Sequence, residues 1–100
     1  MAKQIIWSLK AQNDRKAIFT YWNNRNQSNL YSLKLNFLLI EAANLISKFP
    51  KIGKPTGYRE TRVKLVRDYL MIYKEEETFI IIVTIWDGRQ DPLKLVQLLK

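Results

Sequence analysis

Apolar residues recur at helical spacing through the first half of the chain and at a spacing of two through much of the second, which predicts helices followed by strands. Lys3 to Trp7 is short and β-branched and reads as a strand. Ser8 can cap a helix over Lys10 to Arg25, where Ala11, Ile18, Tyr21 and Trp22 lie close to one face. Asn23 to Asn29 is rich in side chains that compete for backbone hydrogen bonds, so it marks a connection and supplies a new cap. In the second helix Leu35, Leu38, Leu39, Ala42, Leu45, Ile46 and Phe49 form a broad apolar stripe that needs cover, and Pro50 stops the helix. Two helices joined by a short polar link are expected to lie antiparallel.

Lys51 to Arg59 contains Gly53, Pro55 and Gly57 and reads as an irregular connection. Beyond it, Arg62 to Arg67, Tyr69 to Lys74 and Thr78 to Trp86 read as three strands. Arg67-Asp68 and Glu75 to Glu77 are short enough for hairpins, which makes the strands an antiparallel meander. Strict alternation would send Phe79, Ile81, Val83 and Ile85 one way and Ile80, Ile82 and Trp86 the other, so both faces of the last strand need cover. Pro92 to Leu99 is expected as a terminal helix, with Asp91 as cap and Pro92 at the first position.

The order β-α-α-β-β-β with a helical tail predicts one α+β domain over residues 1–100. A helical hairpin packs on one face of a small, mainly antiparallel sheet, and the opposite face is left for a partner. Val63 and Leu65 are the apolar members of their strand and are expected to face the helices, with Arg62 and Lys64 on the far side.

Composition narrows the chemistry. With no Cys and no His there is no disulfide, thiolate or imidazole, and no soft metal site; neither metal nor cofactor is expected. No apolar run approaches the roughly 20 residues of a membrane span, and residues 5–7 are too short for a signal-peptide core, so a cytoplasmic protein without a membrane partner is expected. The formal charge of +8 favours acidic partners.

That charge is uneven. Lys48, Lys51, Lys54, Arg59, Arg62, Lys64 and Arg67 against Glu60 place +6 within residues 48–67. Such a strip grips phosphates or simply solvates a face. Gly53 to Gly57 is not a phosphate loop, since its spacing is wrong and Pro55 removes an N–H. Tyr58, Tyr69 and Tyr73 stack on bases or serve as packing residues.

Ile5-Ile6-Trp7-Ser8, Tyr21-Trp22, Ser47 to Gly53, Arg67 to Tyr73 and Trp86 to Pro92, taken in order, resemble the RelE/ParE superfamily of bacterial toxins across nearly the whole chain. The resemblance implies a RelE/ParE-like fold and a toxin of a type II toxin-antitoxin pair, held inactive by a cognate antitoxin that wraps it with a helix and an extended segment.

The superfamily is divided in function. RelE-like members cut messenger RNA on the ribosome as endoribonucleases; ParE-like members poison DNA gyrase. The ribonuclease branch is the leading expectation, with gyrase inhibition or a catalytically degenerate binding module as alternatives. Arg62 and Lys64 match the basic residues on the first strand after the helices, and Arg89 matches the Arg after the last strand. Lys51, Lys54, Arg59, Arg67 and Tyr69 are the expected RNA contacts. Leu70 stands where an Arg is expected beside Tyr69, and Leu95 about where a terminal Tyr would fall.

RNA cleavage needs neither His nor metal if the RNA's own 2'-OH attacks and protein cations stabilise the phosphorane. Arg62, Lys64 and Arg89 would supply those cations by converging on one phosphate. Lys64 and the tyrosines are the nearest candidates for proton transfer.

Overall fold

The computed structural model describes residues 2–100. Its elements run β1 (Gln4–Trp7), α1 (Leu9–Asn26), α2 (Leu30–Lys48), β2 (Lys54–Pro55), β3 (Thr61–Val66), β4 (Tyr69–Glu75), β5 (Phe79–Asp87) and α3 (Pro92–Leu99). Two of the expected caps form: the Ser8 side chain accepts from Ala11 N, and the Asp91 side chain from Leu93 N ahead of Pro92; at the start of α2 the Asn29 side chain makes no cap bond, and Ser28 Oγ accepts from Leu30 N instead. β2 is an addition within the stretch read as a connection. A two-residue strand ending in a proline has no periodicity to detect, and Pro55 is tolerated because β2 is an edge.

The five strands form one sheet in the order β1-β5-β4-β3-β2. β3, β4 and β5 make the expected antiparallel meander, and β1 pairs with β5 in parallel. The α+β architecture is therefore as the sequence order implied, with the helical hairpin on one face.

Register identifies that face. Arg62 lies opposite Tyr73, Lys64 opposite Met71, and Val66 opposite Tyr69. Across β5, Tyr73 faces Ile82 and Met71 faces Ile85. These apolar residues form the core with Ala11, Leu35, Leu39, Ala42 and Ile46 of the helices. Arg62 and Lys64 thus share the helix-covered face, and Leu65 is 64% exposed on the other. The expectation that Val63 and Leu65 would face the helices is overturned. The central strands carry the largest apolar residues on the Met71 and Tyr73 side, so they decide which face is buried. β3 lies near the edge, where a long cationic side chain can lay its stem on apolar surface and keep its head in water.

A second correction concerns β5. Ile72 faces Thr84 but Tyr73 faces Ile82, so Val83 is an extra residue, a β-bulge. The bulge returns Ile85 to the core beside Ile80 and Ile82, and puts Trp86 opposite Leu70 on the outer face. Alternation alone had grouped these residues differently.

The outer face is also less open than expected. Ile72 is 1% exposed, and Leu99 is buried, bordering with Leu98 a cavity against Thr61, Lys74 and Val83. α3 therefore covers part of that face. Beyond Ile82 the β1 side of β5 has no strand partner, and α1 protects it: the Asp14 carboxylate accepts from Ile85 N at 3.1 Å and from the buried Thr84 hydroxyl. None of the described helices is long and apolar enough to cross a membrane.

Candidate functional site

The basic residues singled out in the sequence fall into separate surroundings. Arg62, at the start of β3, donates from its guanidinium to the carbonyls of Gly53 at 2.7 Å and Lys51 at 3.3 Å. The neighbouring Tyr73 hydroxyl donates to Pro50 O at 2.7 Å and accepts from Gly53 N at 2.8 Å. Arg62 and Tyr73 thus fasten the loop that leads into β2. A cavity of about 530 Å³ lies beside them, lined by Lys51, Pro55, Gly57, Glu60, Thr61, Arg62 and Glu75. It is electrically mixed, because Lys51 pairs with Glu75 at 3.0 Å and Lys3 reaches the same carboxylate at 2.9 Å. Those two hydrogen-bonded lysines hold the Glu75 carboxyl below its usual range.

Lys64 lies farther along β3. With Leu38, Glu41, Ala42, Leu45, Leu65, Val66 and Arg67 it borders a groove of about 270 Å³ between α2 and the sheet edge. Arg67 is exposed in the hairpin turn with φ of 57°, Arg59 is exposed with φ of 49°, and Lys54 is exposed on β2.

Arg89 occupies a third place. Its Nε and one terminal nitrogen donate to the two Asp87 oxygens, both at 3.0 Å, and its backbone N donates to Asp87 Oδ1 at 2.9 Å. The pair lowers the Asp87 pKa and raises that of Arg89. The guanidinium also lies 5.9 Å from the Trp22 ring centroid, with Arg25 at the same distance. Trp22 meets Tyr31 and Tyr21 edge-on, at 4.8 and 5.1 Å between centroids. Next to this aromatic cluster is a cavity of about 300 Å³, lined by Tyr21, Tyr69, Asp87, Lys10 and Asp14 among others.

The expected convergence of Arg62, Lys64 and Arg89 does not form. Asp87, at the end of β5, lies level with Tyr69 and Val66, whereas Arg62 lies level with Tyr73 and Ile82. The first and third strands of a meander run in the same direction, so the end of β5 adjoins the end of β3 and not its start. Four residues separate Arg62 from Val66, about 13 Å along the strand.

The tyrosines are poorly suited to proton transfer. Burial raises the pKa of both Tyr69 and Tyr73, moving them further from neutrality. Tyr69, expected among the RNA contacts, is 2% exposed, so its ring has no open face for a base. Leu70 faces Leu65 and Trp86 across the sheet, on the side away from Arg62 and Lys64. An Arg there would not rejoin them. An Arg between two carboxylates in Asp87-Gly88-Arg89-Gln90-Asp91 fits a salt-bridged turn, which forms with Asp87, whereas its closing against Trp22 was not legible in the sequence. An Asp two residues before an Arg was the visible signal, but the Trp of a distant helix carried none.

A family model described as the ParE toxin of the type II toxin-antitoxin system, parDE, matches residues 5–92. No curated protein sequence matches the chain. Among solved structures, one titled "Chromosomal ParDE TA system from P. aeruginosa" is similar with a TM-score of 0.75 at 17% identity, covering 86% of this chain and 96% of that one.

Proposed function

The chain belongs to the ParE toxin family of type II toxin-antitoxin systems, and from that membership we propose that it is a growth-arresting toxin that acts on DNA gyrase and is silenced by a cognate antitoxin. This replaces RNA cleavage on the ribosome as the leading reading. The observation that carries it is the separation of the cations: Arg62 is bonded to loop carbonyls, Arg89 is clamped by Asp87, and they stand at opposite ends of the sheet. A phosphorane needs its donors preorganised around one point, at about 3 Å from its oxygens. This arrangement does not offer that. Binding a protein target asks less, since a shaped surface with a few anchors suffices.

An acidic antitoxin suits the +6 strip between residues 48 and 67, and charge would speed its capture of the toxin. Purified toxin added to gyrase, relaxed plasmid and ATP should block supercoiling, and in the presence of gyrase should leave cleaved DNA after protein denaturation. Induction in a bacterium should stop thymidine incorporation before amino-acid incorporation. Translation failing first, with cut messenger RNA and undisturbed supercoiling, overturns the gyrase reading in favour of RNA cleavage.

A further inference from the structure

Arg15 carries a charge that the chain leaves unanswered. It is half-buried on α1, with its guanidinium 4.2 Å from the Trp7 ring centroid. An arginine offers five N–H donors, yet the bond that Arg15 makes among the described residues is a long one, to Asn36 Oδ1 at 3.5 Å, and its buried Nε has no partner. Among the described residues no carboxylate pairs with Arg15 or with the adjacent, exposed Lys16. Asp14, the nearest acid in sequence, is engaged by Thr84, Ile85 and Lys10. Burial accordingly pulls the Arg15 pKa down. A desolvated cation without a counter-charge is costly, and stacking on Trp7 offsets only part of that cost.

The same guanidinium borders a groove of about 400 Å³, together with Ile5, Ile6, Trp7, Gln12, Lys16 and Phe19. Three consecutive residues of a strand point to alternate faces, so what Ile5, Ile6 and Trp7 share is the strand edge. β1 is an edge of the sheet. Ser8 N donates to Ile82 O on the β5 side, so by alternation Lys3, Ile5 and Trp7 turn their backbone groups outward. Ser47 takes both groups of Lys3, and Gln12 Nε2 donates to Trp7 O. That leaves Ile5 N–H, Ile5 C=O and Trp7 N–H in a row, without partners among the described residues, as a template for one more strand.

We propose that this groove takes an extended segment of the antitoxin, which adds to the outer edge of β1 and lays one Asp or Glu side chain on Arg15. The inference rests on the antitoxin reading above and locates one contact within it. Charge complementarity names the occupant: carboxylate oxygens fit the arginine fork, and Lys16 adds a second cation beside it. A second copy pairing edge to edge would supply no acid, since Gln4–Trp7 carries none, and would set the two Arg15–Lys16 pairs against each other. Along an added strand, alternate side chains fall on the helix side, where Arg15 lies, and on the far side beside Ile6, which is 38% exposed. The expected signature is one acid flanked by apolar residues.

Calorimetric titration of the cognate antitoxin into purified toxin tests this. Arg15→Met, which keeps an apolar stem on Trp7 and removes the fork, should weaken binding by about 10- to 100-fold, and Arg15→Lys should recover only part of the loss. The free Arg15→Met toxin should unfold in urea no earlier than the wild type, because an uncompensated cation adds no stability. It should arrest growth as the wild type does and need more antitoxin to be silenced. Backbone exchange at Ile5 and Trp7 should slow in the wild-type complex. One Asp→Asn or Glu→Gln change in the antitoxin should match the loss from Arg15→Met and add little to it. Equal affinity of Arg15→Met and wild type overturns the proposal and makes Arg15 a packing residue, and unchanged exchange at Ile5 and Trp7 overturns it as well. Protection of those two amides by gyrase but not by the antitoxin assigns the groove to the target and overturns it too. A wild type that does not bind the antitoxin at all refutes the silencing partner itself, a failure distinct from tight binding that ignores Arg15.

Discussion

Trp22 and Tyr69 are 47 residues apart in sequence, yet the indole Nε1 donates to the phenol oxygen at 2.8 Å, tying α1 to β4 beneath the hairpin. Both residues belong to or pack against the core, where an unpaired donor is costly. Tyr69→Phe should therefore destabilise by about 1–2 kcal/mol through the stranded indole N–H. Urea unfolding should show a lower midpoint at unchanged m-value.

Gly53 is held at a close approach. A Cβ there would lie 2.5 Å from the Tyr73 hydroxyl, 2.7 Å from its ring and 2.9 Å from Val63 O. Gly53→Ala must displace either a fully buried ring or β3, at a cost of about 1–3 kcal/mol. Thermal unfolding should register it as a lowered Tm, and Tyr73→Phe combined with Gly53→Ala should cost less than the sum of the two singles because they share one clash.

Stability should fall at both ends of the pH range. Asp87 and Glu75 have lowered pKa values, chiefly from hydrogen bonds with Arg89 and with Lys3 and Lys51. Their contribution is present above the unfolded value near 4 and is lost as pH falls through the lower folded value. Tyr69 and Tyr73 have raised values because they are buried, so their contribution is present below the unfolded value near 10 and lost as pH rises through the folded one. Denaturant midpoints followed from pH 2 to 11 should trace this dome, in which Asp87→Asn flattens the acid limb and Tyr73→Phe the alkaline one.

Asp14 should prove a structural carboxylate. Removing it in Asp14→Ala strands the buried Thr84 hydroxyl and Ile85 N–H at an uncovered strand edge, at a cost of about 1–3 kcal/mol. Hydrogen exchange at Ile85 should accelerate more than at Ile80, which lies where β1 still pairs with β5.

Arg62 and Arg89 should act independently. Gyrase inhibition measured for Arg62→Ala, Arg89→Ala and the double variant should combine additively within about 0.5 kcal/mol, as distant sites do. A large coupling would mean that the two meet on one ligand. Leu70→Arg should gain no ribonuclease activity, since its side chain projects from the opposite face to Arg62 and Lys64.

The order of elements was readable in the sequence because it rests on local signals. Helical spacing in residues 30–48, the Ser8 and Asp91 caps and the short hairpins each act within a few residues, and each appears where expected. The superfamily likeness was legible for the same reason, through short runs in fixed order. What tertiary structure alone decided was which groups meet. Alternation on β3 sets Arg62 and Lys64 on the face opposite Val63 and Leu65, and apolarity pointed Val63 and Leu65 inward, but Met71 and Tyr73 of the next strand decided the opposite. One bulged residue, Val83, then reversed the outer half of β5. Strand direction set Arg89 beside Asp87 and Trp22 and away from Arg62, because the first and third strands of a meander run parallel. Those choices are made by packing between segments far apart in the chain, where no local pattern carries the information.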